Sequence, residues 1–119
     1  MVSHVVLMKP RGDLSAEERR SLVAAFRRAV REIPAVRQVR VGRRVAHGAG
    51  YEERMPDSGD YLIVIDFDDL AALKLYLHHP AHDELARRFN QSLSSGLIYD
   101  FEVGGINGID TLLKDELVD

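Results

Sequence analysis

The chain contains no cysteine. Disulfides, thiolate nucleophiles, thiolate zinc sites and iron–sulfur clusters are therefore excluded together, and reactive side-chain chemistry falls to histidine, tyrosine and carboxylates. Long apolar runs are also missing. The first, Val5 to Met8, is stopped by Lys9 and Pro10, well short of the roughly 7–15 apolar residues of a signal segment or the roughly 20 of a membrane span. A cytoplasmic location and no membrane partner are expected. Nor does one sign of charge dominate: 16 Lys and Arg stand against 19 Asp and Glu, a net charge of −3, the wrong balance for a polyphosphate partner. Nucleic acid is disfavoured. At 119 residues there is room for one compact domain and not for a second catalytic one. With 45% hydrophobic and 29% charged residues, the chain has the composition of a folded globular protein.

The elements read in order. Ser3 to Lys9 is β-rich, with His4, Val6 and Met8 on one face and Val5 and Leu7 on the other. Ser15-Ala16-Glu17-Glu18 is a capping box that starts a helix. Leu22, Phe26, Ala29, Val30 and Ile33 then form an apolar stripe, with arginines largely opposite, until Pro34 stops a helix of about 18 residues. Val36 to Val45 suits a half-buried strand, and Ala46 to Asp60, with Gly48, Gly50, Pro56 and Gly59, reads as a loop. Tyr61 to Phe67 is a strand apolar on both faces, which demands cover on both sides. Asp68 or Asp69 caps a helix that Pro80 interrupts, and Gly96 is expected to end the helical segment before a last strand, Leu97 to Val103.

The order β-α-β-β-α-β is that of the α+β ferredoxin-like fold, a four-stranded antiparallel sheet with its helices on one face. Two helices leave Val5, Leu7, Leu62 and Val64 uncovered on the other. So large an apolar patch marks an interface, and a homodimer packed sheet to sheet is expected. The domain is placed at residues 1–103, with 104–119 as a C-terminal extension. Within it, Asp110 to Val118 could form a short helix with Leu112, Leu113 and Leu117 as its stripe.

Four stretches carry a resemblance: Ser3-His4-Val5-Val6-Leu7-Met8-Lys9, Glu32-Ile33-Pro34-Ala35-Val36, Tyr76-Leu77-His78-His79-Pro80-Ala81-His82 and Tyr99-Asp100-Phe101. With them the chain resembles the stress-responsive dimeric α/β-barrel domain proteins over about Val2 to Val103. The resemblance implies the dimeric barrel. It implies little about activity, since most members have no established reaction, while one branch consists of plant polyketide cyclases that close a linear tetraketide acid by intramolecular aldol condensation. In that branch a Tyr and the final His of a Tyr-x-x-His-Pro-x-His stretch are the catalytic pair, matched here by Tyr76 and His82. His4 matches a pocket-lining His, Tyr61 stands where those proteins carry another His, and Phe26 where they carry a Tyr. The last two differences remove a hydroxyl and fill part of the cavity, which points to a different substrate.

The chemistry of the pair is sound. An aldol closure needs a base of near-neutral pKa to take a proton next to a carbonyl, and a neutral donor to hold the oxyanion. Six positions of unbroken helix turn through about 600°, leaving two side chains about 120° apart, so Tyr76 and His82 meet only if the helix breaks between them. His79-Pro80 supplies that break. The alternative is structural: Tyr76 packing in the core and His82 bonding backbone at the break. His78 and His82 also have metal-ligand spacing, but Pro80 spoils the shared face and no HExxH is present, so neither metal nor cofactor is expected. Gly48-Ala49-Gly50 lacks the Lys-Ser/Thr of a phosphate loop, and the arginines at 37, 40, 43 and 44 suit a solvated strand.

Three functions remain open. One is a homodimer that binds a small apolar or aromatic molecule between sheet and helices, in a pocket lined by His4, Val6, Phe26, Tyr61, Ile63, Tyr76 and His82. Another is a cyclase-like lyase using His82 as base and Tyr76 as donor. The third is a filled, ligand-free structural or stress-protective dimer.

Overall fold

The structure, a computed structural model, describes residues 1–115. Four strands, β1 (Val2–Pro10), β2 (Gln38–Arg43), β3 (Tyr61–Phe67) and β4 (Leu93–Glu102), form one antiparallel sheet in the order β2-β3-β1-β4. Helices α1 (Ala16–Glu32), α2 (Leu70–Leu77) and α3 (Pro80–Ser92) cover one face. This is the ferredoxin-like βαββαβ arrangement.

Each helix starts where its sequence provides a cap. The Ser15 hydroxyl accepts from the Glu18 N–H at 3.1 Å, and the Glu18 carboxylate accepts from the Ser15 N–H at 3.2 Å, which satisfies two otherwise free donors. Asp69 accepts from the Ala72 N–H at 2.8 Å to open α2. The break between α2 and α3 falls at His78 and His79: His79 leaves the helical region (φ −76°, ψ 142°) and Pro80 takes the first turn of α3, where its missing N–H costs nothing. The His79 imidazole accepts from the Ala81 N–H at 3.0 Å and so caps the new helix.

The core lies between sheet and helices. Val6, Met8, Ile63, Ile65 and Phe67 from the sheet meet Leu22, Ala25, Ala29 and Ile33 of α1, Leu73 and Tyr76 of α2, and Ala81 and Leu85 of α3. Burying each large apolar side chain stabilises the fold by about 1.5–3 kcal/mol. The opposite face carries Val5, Leu7, Leu62 and Val64, and strand register adds Leu97, Tyr99 and Phe101 of β4 beside them. Leu62 and the three β4 residues are exposed. The same face ends in a polar contact, the Ser3 hydroxyl donating to Asp66 at 2.6 Å.

Several boundaries differ from expectation. β2 is shorter than Val36 to Val45, and the following loop contains a short 3-10 turn, Glu52–Arg54. Gly96 does not end the helix. α3 stops at Ser92, and Leu93 is already extended (φ −109°, ψ 143°), so β4 begins four residues before Leu97. Gly96 lies opposite Met8 beneath the Phe89 ring, where a Cβ would come within 3.0 Å of Phe89 Cε1 and Cζ. Glycine is needed there for close approach, not for a turn. After β4, a 3-10 turn (Ile106–Asp110) leads into α4 (Thr111–Asp115), and residues 116–118 of the helix expected over Asp110 to Val118 lie outside the described residues. Leu112 and Leu113 on it are exposed, and Leu117 lies outside the described residues.

Candidate functional site

Register sorts the helix-facing residues of the sheet into rows, and three of them matter for the site. Val39, Ile65, His4 and Asp100 form the first; Val41, Ile63, Val6 and Ile98 the second; Arg43, Tyr61, Met8 and Gly96 the third. The seven residues singled out from sequence divide between two places on this grid.

His4, Tyr76 and His82 come together at the β4 side of the first row. His4 is buried, and its Nδ1 lies 2.6 Å from the Asp100 carboxylate. Because a carboxylate only accepts, the contact places a proton on Nδ1. Tyr76, in the last turn of α2, has its ring centroid 5.8 Å from that of His4, 5.2 Å from Phe67 and 4.8 Å from His82. The break at Pro80 thus brings Tyr76 and His82 edge to face. Burial pushes the Tyr76 hydroxyl up to about 12, so it stays a neutral donor. Burial also lowers the His82 pKa, helped by the charge of nearby His4 and His78 and opposed by Asp83 and by a bond to the Leu77 backbone. At neutral pH His82 is therefore an uncharged imidazole, the form a base requires.

Phe26, Tyr61 and Ile63 stand elsewhere. With Met8, Leu22 and Val41 they line a cavity of about 510 Å³ between α1 and the β2–β3 half of the sheet. Val6 is buried in the core, paired with Ile63 and one row from His4 on β1, and does not line this cavity. Phe26 points its ring edge to face at Phe89, with centroids 6.5 Å apart.

In the sequence reading Asp100 figures only in the Tyr99-Asp100-Phe101 stretch of the resemblance and is given no chemical role. Its signal is parity: His4 and Asp100 share the helix-facing side once β1 and β4 pair. Of the remaining histidines, His78 turns Nδ1 to the Lys74 carbonyl at 2.7 Å, and His47 meets the Tyr51 hydroxyl at 3.0 Å. Among the described residues no three His, Asp or Glu side chains are grouped to hold a metal ion, and no helix is long and apolar enough to cross a membrane.

The layers and the strand order define a ferredoxin-like α+β protein. Comparison with known proteins narrows this further: the Stress responsive A/B Barrel Domain family matches residues 2–103, and the chain belongs to that family. No curated protein sequence matches it. Among solved structures it is similar to a protein from Arabidopsis thaliana, with 24% identity and TM-score 0.73 over 89% of this chain and 98% of the other. A dimeric protein of ferredoxin-like fold from Bacteroides fragilis shares 25% identity, with TM-score 0.59 over 86% and 95% of the two chains. The hydroxynitrile lyase of Passiflora edulis shares 16% identity, with TM-score 0.73 over 87% and 93%.

Proposed function

We propose that the protein is a homodimer, packed sheet to sheet, that binds a small apolar or aromatic molecule in the cavity beneath α1. The observation that carries this reading is the cavity itself: about 510 Å³, walled by Leu22, Phe26, Val41, Tyr61 and Ile63, within the range of about 300–1,000 Å³ typical of small-molecule sites. A filled, ligand-free barrel has no use for such a space. Dimerisation rests on the apolar outer face, where Tyr99 and Phe101 extend the patch of β1 and β3, and on the dimeric relative from Bacteroides fragilis. Nile red, a neutral aromatic dye, tests the cavity. It should bind the dimer and brighten, and Val41→Trp, which fills the groove from an exposed edge-strand position, should abolish the signal without shifting the melting temperature. Binding that survives Val41→Trp would place the dye elsewhere and refute the assignment.

A second reading is favoured by one specific arrangement, the line Asp100, His4, Tyr76, His82. A carboxylate that fixes a histidine tautomer, a phenol that stays neutral and an uncharged imidazole are the parts of a proton-transfer site acting next to a carbonyl. In this reading His82 removes the proton and Tyr76 stabilises the oxyanion, in a cyclase-like lyase; a lyase from Passiflora edulis has the same fold. Exchange of deuterium from solvent into the α-carbon of a β-keto acid measures the step without the natural substrate. His82→Gln should lower the exchange rate by about 10²–10⁴, and an unchanged rate would remove His82 from the chemistry.

A further inference from the structure

We infer that the molecule bound beneath α1 carries a carboxylate on its apolar body, and that Arg19 and Arg27 select it. The inference rests on the cavity being a ligand site, and adds the ligand's charge. Both arginines line that otherwise apolar cavity, on either side of Val23. They lie on one ridge of α1, eight residues and so about 12 Å apart along the axis. Each guanidinium is exposed at the rim, and neither forms an ion pair with a described carboxylate. On the same helix Arg28 is engaged by Glu32 and, just ahead of the helix, Arg11 by Glu18, while Arg20 and Arg31 also lack an ion pair among the described residues but do not line this cavity.

No acidic side chain lines the cavity among the described residues, so nothing in its wall competes for the two cations. A guanidinium at the edge of an apolar hollow is less well screened than one in open solvent, and its planar fork matches a carboxylate with two parallel bonds. Their backbone positions are two turns apart on α1, which suits one planar head held by either fork better than a phosphate that needs several donors at once. The ligand then lies with its apolar part against Phe26, Ile63 and Leu22 and its head at the mouth.

Titration calorimetry of the full chain with decanoate, decanol and decyl phosphate tests this. Decanoate should bind about tenfold or more tighter than decanol, and Arg19→Gln with Arg27→Gln together should bring the two within about twofold while leaving decanol binding and the fold intact. The preference should shrink as salt is raised from about 50 mM to about 500 mM. Equal binding of decanoate and decanol by the unaltered protein would overturn the role of the arginines while leaving the cavity as a binding site. Tighter binding of decyl phosphate would overturn the carboxylate, and failure of all three to bind would overturn the cavity reading as well.

Discussion

Acid should weaken the folded state through His82, and the sign of that effect decides whether this residue can serve as a base. In the folded protein its pKa lies below the ordinary 6.5, because burial and the neighbouring His4 oppose its charge more than Asp83 and the Leu77 carbonyl favour it. Well above pH 6.5 the imidazole is neutral in both folded and unfolded chains, and the full stability is present. Below pH 6.5 the unfolded chain takes up a proton that the folded chain refuses, so stability falls as pH falls, until the lowered folded pKa is passed. The drop cannot exceed about 1.4 kcal/mol for each pH unit between the two pKa values. Urea unfolding of the unaltered protein and of His82→Gln, at steps from about pH 7.5 to about pH 5, isolates the contribution, since glutamine does not titrate. The stability difference between them should shift against the unaltered protein across this window, and level off at its lower end. A shift in the opposite direction would mean that the folded state holds His82 protonated, with Asp83 outweighing burial. His82 would then be a poor proton acceptor at neutral pH, and the proton-transfer reading would fail with it.

Four other outcomes follow from the geometry. Gly96→Ala should destabilise the protein by about 1–3 kcal/mol, since the new methyl meets the Phe89 ring at 3.0 Å; thermal melting should show Phe89→Leu restoring most of the loss. Asp100→Asn should cost about 1–2 kcal/mol, the lower part of the range for a charged partner because its side chain is 40% exposed, and a double-mutant cycle with His4→Phe should recover that coupling. Tyr99→Glu sets a charge on the outer sheet face without touching the core, and sedimentation should show monomers at micromolar concentration; a persistent dimer would mean that the sheets are not the interface. Ser15→Ala should lose about 1 kcal/mol in urea unfolding through the helix cap alone.

Much of the fold could be read from local pattern because local pattern is what forms it. Alternation in His4, Val6 and Met8, the capping box at Ser15 and the proline at position 80 each act over a few residues, and each appears in the structure where it was expected. Gly96 could not be read this way. A glycine after a helical stripe looks like a stop, and only the arrival of Phe89 from α3 over the β1–β4 pair reveals that its missing side chain serves a contact between elements. Asp100 was hidden for the same reason, since its meaning depends on a strand 96 positions earlier in the chain.

The division of the site is likewise contained in neither periodicity nor kinship. Residues on one face of β1 and β3 seem from sequence to surround one pocket, because alternation fixes a face and says nothing of position along the neighbouring strands. Register supplies that second coordinate. It sends His4 to the row that ends at Asp100, and Ile63 and Tyr61 to the rows that end at Val41 and Arg43, with Val6 in the row of Ile63. A ligand in the α1 cavity is therefore offset along the strands from the histidines. If the proton-transfer cluster acts on a molecule held in that cavity, the reacting carbon must reach from the rows of Ile63 and Tyr61 toward that of His4, and shortening Val6, which stands between His4 and Met8 on the same face of β1, should open that path. Val6→Ala should thus raise the rate of solvent deuterium exchange into a bound β-keto acid, even as the lost methyls cost about 1–3 kcal/mol of stability. A rate that falls in step with stability would mean that the two places work independently and that the cavity does not feed the histidines.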